Sequence, residues 1–92
     1  MPKILLHGHI IVPKEDLVAV VEALPLHIQL TKKEQGCLLF EVLQSQENKN
    51  MFSVYEEFID LESFQLHQNR VKASVWGKVA ANVERHYQIS EL

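Results

Sequence analysis

The chain has 92 residues, 47% of them hydrophobic, with a formal net charge of -3 and one cysteine. That length gives one domain with a small but workable core, and that composition speaks against disorder. Nine basic residues scattered along an acidic chain give no nucleic-acid footprint, and no apolar run is long enough to span a membrane. The lone Cys37 cannot form an internal disulfide, so a soluble, unprocessed protein of a reducing, cytoplasmic compartment is expected.

In chain order, Lys3 to Val12 reads as a strand with Ile4, Leu6, Gly8, Ile10 and Val12 on one face. Leu5, His7, His9 and Ile11 lie on the other, so both faces are largely apolar. Pro13 ends the strand, and Glu15 and Asp16 suit the first turn of a helix. Its buried face is expected to be Leu17, Val20, Val21, Leu24, Ile28 and Thr31. Pro25 should break or kink it, since the ring meets the Val21 carbonyl. Lys32 and Lys33 suit the carboxyl end, and Gly36 can supply a left-handed closing residue.

Cys37 to Ser45 is a second strand, and the polar stretch after it is a hairpin loop leading to a third strand, Met51 to Ile59. Asp60 can cap a helix starting at about Leu61, with Glu62 in its first turn. Leu61, Phe64, His67 and Val71 recur at three and four, so His67 lies within the apolar stripe. Val75, Trp76, Val79 and Val83 suggest a second helical piece, bent near Gly77. Val83 to Ile89 closes as a fourth strand. The order βαββαβ implies a ferredoxin-like α+β fold, an antiparallel sheet with helices on one face. Two helical segments cover only that face, so the apolar second face of strands one and two points to a homodimer.

Several groups could carry chemistry. His7 and His9 stand about 7 Å apart by the strand rise, and His86 could join them, but a metal needs a third converging ligand. Surface or interface histidines are the simpler reading. Cys37 reads as a structural thiol, because no adjacent cation would activate it. Glu41, Glu56 and Glu57 could work as acid–base groups, although strand glutamates are more often solvated or paired with a cation such as Arg85. Phe40, Phe58, Phe64 and Trp76 either line an aromatic pocket or form plain core. His67 is either a hydrogen-bonded core residue or a base. There is no phosphate-cradling loop and no nucleophile elbow.

Three segments resemble the antibiotic biosynthesis monooxygenase family: EQGCLLFEV (Glu34 to Val42), VYEEFIDLESFQLH (Val54 to His67) and the closing VERHYQI. They occur in order at the family's separations and span nearly the whole chain, which makes 1–92 one family-like domain. HQNRVKASVWG is similar to a subgroup of small quinol monooxygenases. The resemblance implies a dimeric α+β barrel that oxidises a phenolic or quinol substrate with dioxygen and no metal, flavin or other cofactor. It implies His67 as catalytic base or substrate anchor, with Phe40, Phe58, Phe64, Arg70, Val71 and Trp76 as substrate-binding residues. Arg70 or Arg85 would stabilise the substrate anion.

Arg70, Val71 and Lys72 stand where many relatives carry a second histidine. The first strand lacks the asparagine of the haem-degrading relatives, which argues against haem. The superfamily also contains an isomerase, so two alternatives stay open: acid–base isomerisation of a small polar metabolite, and a non-enzymatic ligand-binding dimer module.

Overall fold

The computed structural model describes residues 2–92. Strand β1 (Ile4–Ile11) is followed by a short 3₁₀ turn (Lys14–Asp16) and helix α1 (Leu17–Lys32). Strands β2 (Cys37–Gln44) and β3 (Met51–Phe58) form the hairpin, and helices α2 (Leu61–Lys72) and α3 (Val75–Val79) lead to β4 (Glu84–Glu91). The sheet order is β2-β3-β1-β4, with every neighbouring pair antiparallel. This is the ferredoxin-like α+β arrangement. Among the described residues no helix is long and apolar enough to cross a membrane.

Alternation decides the core. Ile4, Leu6, Ile10, Phe40, Val42, Phe52, Val54 and Phe58 project from one sheet face onto Val20, Phe64, Trp76 and Ala80 of the helical layer. Helix α1 lies over β2, α2 over β3, and α3 touches both helices. Strand β4 is left mostly exposed, and only Tyr87 packs partly against the core. Opposite the helices, Leu39 and Leu43 are 40% and 60% exposed, and Leu5, Ile11 and Met51 are half-buried. The remainder of that face is polar on β3 and β4, with Ser53, Glu57, His86, Gln88 and Ser90 in register across it.

Three local expectations are corrected, and a break at Pro25 is not seen. Helix α1 runs unbroken through Pro25, which costs one backbone donor on an exposed turn while burial of Val20 before it and Thr31 after it holds both halves down. Val21 is 42% exposed, and His27 takes its place in the buried stripe. Gly36 has no positive φ; it is small because a Cβ there would stand 2.0 Å from Ser63 Oγ of α2. The chain does not bend at Gly77 but at Ala73 and Ser74, where the Ser74 side chain accepts a hydrogen bond from Gly77 N and starts α3. Asp60 caps α2 as expected, accepting from Ser63 N at 2.8 Å.

Gly8 has φ +154, and a Cβ there would lie 1.9 Å from the His86 carbonyl oxygen. Both the conformation and the close approach of β4 demand glycine. Gly8→Ala should therefore destabilise the fold by about 2–4 kcal/mol. Thermal denaturation should show a melting temperature lower by at least about 8 °C.

Candidate active site

His67 sits on the second turn of α2, aimed inward by the same spacing that buries Phe64. It is 3% exposed, its ring 4.9 Å from Phe58 and 5.9 Å from Phe40, centroid to centroid. Its Nδ1 lies 2.8 Å from Glu34 Oε1, on the segment between α1 and β2. The other oxygen of Glu34 accepts from Arg70 Nε at 2.5 Å, and Arg70 Nη2 donates to Thr31 Oγ1 at 2.9 Å. A carboxylate clasped by a guanidinium is ionised and only accepts, so Nδ1 carries the imidazole proton. Nε2 is left as the lone-pair nitrogen facing the interior.

Nε2 faces Glu56, whose Oε1 is 3.8 Å away, too far for a direct hydrogen bond. Glu56 is 6% exposed because β3 places it on the helix-facing side with Phe52, Val54 and Phe58. It is neither solvated nor matched with a cation. Burial, reinforced by the nearby Glu34, pushes its carboxyl up to about 7. Burial lowers the basicity of His67, and Glu34 opposes that shift. Near neutrality the imidazole is therefore neutral, and Glu56 is divided between acid and carboxylate.

Around this pair lies a cavity of about 170 Å³ bounded by Leu6, Ile10, Phe40, Val54, Val71 and Trp76, with His27, Gln68, Arg85 and Tyr87 completing it. His27 stacks on Trp76 at 4.5 Å with the rings 4° from parallel. Burial, with help from His67 and Arg70, pushes His27 down to about 3, so it stays neutral. Burial and Glu56 push the Tyr87 phenol up to about 12. Among the described residues, two buried polar side-chain atoms have no hydrogen-bond partner: Glu56 Oε1 and His27 Nδ1. Both belong to residues of this cavity, where water or a bound polar group can meet them. His67 also borders an outer groove with Glu34, Asp60 and Arg70, so the imidazole is the wall between cavity and surface.

The expected site residues divide. Phe40, Val71 and Trp76 line the cavity with His67. Phe58 supports the His67 ring from beneath, Phe64 packs edge-on against Phe58 at 5.7 Å, and Arg70 lies on the far side of the imidazole. Glu57 instead bonds Tyr55 Oη at 2.8 Å and pairs with Lys3 at 3.8 Å. His9 and His86 stack across β1 and β4 at 4.7 Å, and among the described residues no three metal-ligating side chains converge. Cys37 is half-buried, and burial with Glu34 and Glu56 keeps its thiol protonated. His27, Glu34 and Tyr87 were missed by the sequence reading. His27 is three residues after Leu24 and four before Thr31, which is signal enough to place it on the buried stripe.

A family model described as antibiotic biosynthesis monooxygenase matches residues 4–78, and the chain belongs to that family. A Nitrosomonas europaea protein provisionally described as an antibiotic biosynthesis monooxygenase superposes with a TM-score of 0.76 at 18% identity, covering 100% of this chain and 96% of that one. A conserved protein from Methanosarcina mazei Go1 gives 0.71 at 21% identity, covering 100% and 92%. MupZ from Pseudomonas fluorescens gives 0.77 at 18%, covering 97% of this chain and 71% of its own. These likenesses are of fold. No curated protein sequence matches the chain significantly.

The burial of Glu56 carries its own pH signature. A glutamate ordinarily ionises at 4.5, and here at about 7. Below the lower value both folded and unfolded chains are protonated and the site costs nothing. Between the two values the unfolded chain ionises while the buried carboxyl keeps its proton, so stability falls with rising pH, by about 3 kcal/mol in all once pH passes the higher value. Glu56→Gln should therefore gain stability relative to the parent between pH 5 and 8, in paired thermal melts at the two pH values.

Proposed function

We propose that the protein is a cofactor-independent monooxygenase of a phenolic or quinol substrate. The observation that carries this reading is the pairing of two acid–base groups, His67 and Glu56, in a buried cavity whose aromatic walls include Phe40 and Trp76. An isomerase of a polar metabolite would need a cavity walled mainly by Lys, Arg and Glu, and here Glu56 and Arg85 stand among Leu, Ile, Val, Phe and Trp side chains. Triplet dioxygen reacts slowly with a neutral phenol but accepts an electron from a phenolate. The protein's task is therefore to deprotonate the ring hydroxyl, hold the anion and exclude water.

The geometry suits that task. A hydroxyl oxygen about 2.8 Å from both His67 Nε2 and Glu56 Oε1 bridges their gap. Its proton goes to Nε2 or to the Glu56 carboxylate, and Glu34 stabilises the imidazolium through Nδ1. The phenolate passes one electron to dioxygen, the radical pair joins as a ring peroxide, and the terminal oxygen leaves as water. The balance is quinol plus dioxygen giving hydroxyquinone plus water. One oxygen atom enters the ring, and two hydrogens leave in the water.

The test is oxygen uptake with a quinol panel. Uptake should persist in chelator, and isotope-labelled dioxygen should leave one labelled atom in the product. Product of unchanged mass with no oxygen uptake would point to isomerisation instead. His67→Gln keeps a donor for Glu34 but takes up no proton near neutrality, so turnover should fall about a hundredfold or more. In the parent, kcat/KM should rise as pH increases through about 7, the value for Glu56, and Glu56→Gln should flatten that rise. Full activity in His67→Gln would remove the imidazole from the proton transfer.

The open sheet face belongs to the same reading. Leu39 and Leu43, with half-buried Leu5, Ile11 and Met51, fit a second copy packed sheet to sheet. Light scattering should give a particle of about 21 kDa, twice the 10.6 kDa chain, at micromolar concentration. A 10.6 kDa particle would overturn the dimer.

A further inference from the structure

The cavity is small, and charge of a single sign lines the groove beside it. Its volume of about 170 Å³ is close to the ~150 Å³ of an engineered cavity that accepts benzene, and below the ~300 Å³ where drug-sized pockets begin. One six-membered ring fills it. Gln68, Val71 and Arg85 line both this cavity and an outer groove completed by Gln65, Asn69 and Lys72. Those three shared side chains stand between cavity and groove on α2 and β4, so Arg85 borders both spaces.

The groove holds two cations and no carboxylate, in a chain whose net charge is -3. Among the described residues, neither Arg85 nor Lys72 forms an ion pair. Arg85 shares the helix-facing side of the sheet with Ile10, its partner in register. Its guanidinium is steadied by donating Nη2 to the Ala80 carbonyl at 3.1 Å and Nη1 to the Val83 carbonyl at 3.4 Å. Arg85 gives a further hydrogen bond to the Tyr87 phenol, and the remaining N–H groups of its fork are left for an anion. Arg85 also lies beyond residues 4–78, the stretch the family model matches.

We propose that the ligand of this cavity is a single-ring phenol or quinol with an anionic substituent, its ring beside His67 and Glu56 and its anion on Arg85 and Lys72. The inference rests on reading the cavity as the substrate site. Orientation follows from charge. Glu56 repels a second negative group at the inner end, and the two cations attract it at the outer end. A polycyclic ring system does not fit the volume.

The experiment measures binding without turnover, using anaerobic monophenols. The protein's one tryptophan, Trp76, lines the cavity, so its fluorescence reports occupancy, with ligand-observed NMR as a second readout. At low salt, 4-hydroxyphenylacetate should bind at least about tenfold more tightly than neutral 4-ethylphenol. Arg85→Gln should cut that preference to about threefold or less, and Arg85→Lys should retain most of it. Circular dichroism checks that each variant folds, and Lys72→Gln offers a second route to the same loss. Equal or tighter binding of the neutral phenol would overturn the proposal. So would tighter binding of 2-naphthol than of phenol, an unchanged preference in both glutamine variants, or no binding of any phenol. Anion-selective binding without oxygen uptake would remove the oxygenase reading and leave the ligand class standing.

Discussion

One carboxylate ties the helical layer to the site. Glu34 leaves the end of α1 and accepts from both His67 Nδ1 and Arg70 Nε, one turn apart on α2. Arg70 continues the tie to Thr31, which in turn donates to the His27 carbonyl within α1. A single network thus fixes the spacing of two helices, the tautomer of His67 and the ring that forms the cavity wall. Without Glu34 the imidazole would keep its place by packing but lose the group that decides which nitrogen carries the proton.

Apolar packing around the network is what sustains a buried glutamate. Ionised Glu56 costs up to about 3 kcal/mol above neutrality, comparable with the gain from burying one large apolar side chain. Phe40, Phe52, Val54 and Phe58 surround its strand position and are all buried, so the sheet has apolar burial to set against one disfavoured charge. Tyr87 titrates high beside it and His27 low, for the same reason. Burial is the first cause in each case, and it holds Glu56, His27, His67 and Tyr87 towards their neutral forms.

The architecture was legible because its signals are periodic or local. Alternation marked the strands, and Asp60 marked the start of α2 to the residue. The family resemblance lay in three segments that alternation and capping had already placed on strands and a helix. The site was only partly legible, because its chemistry comes from residues brought together across the chain. Glu34 and His67 are 33 positions apart, and nothing local says that a loop glutamate will reach a helix histidine. Glu56 is the instructive case, an acid–base candidate by residue type whose burial residue type does not show. Alternation along β3 puts it on the face of Phe52, Val54 and Phe58, where it is neither solvated nor paired with a cation. The choice between core and site for His67 also dissolves: it is buried, hydrogen-bonded and on the cavity wall at once.

Cys37 gains a meaning from its surroundings. Quinones are electrophiles that alkylate thiolates far faster than thiols, and any chain that makes one is exposed to it at every turnover. The one sulfhydryl here begins β2, where burial first, and then Glu34 and Glu56, push the thiol up and away from ionisation. The two carboxylates beside His67 therefore add to burial in keeping the thiol in its less reactive form. Under the proposed oxygenase reaction, acid–base tuning of the cavity and protection of the thiol would share that pair of side chains.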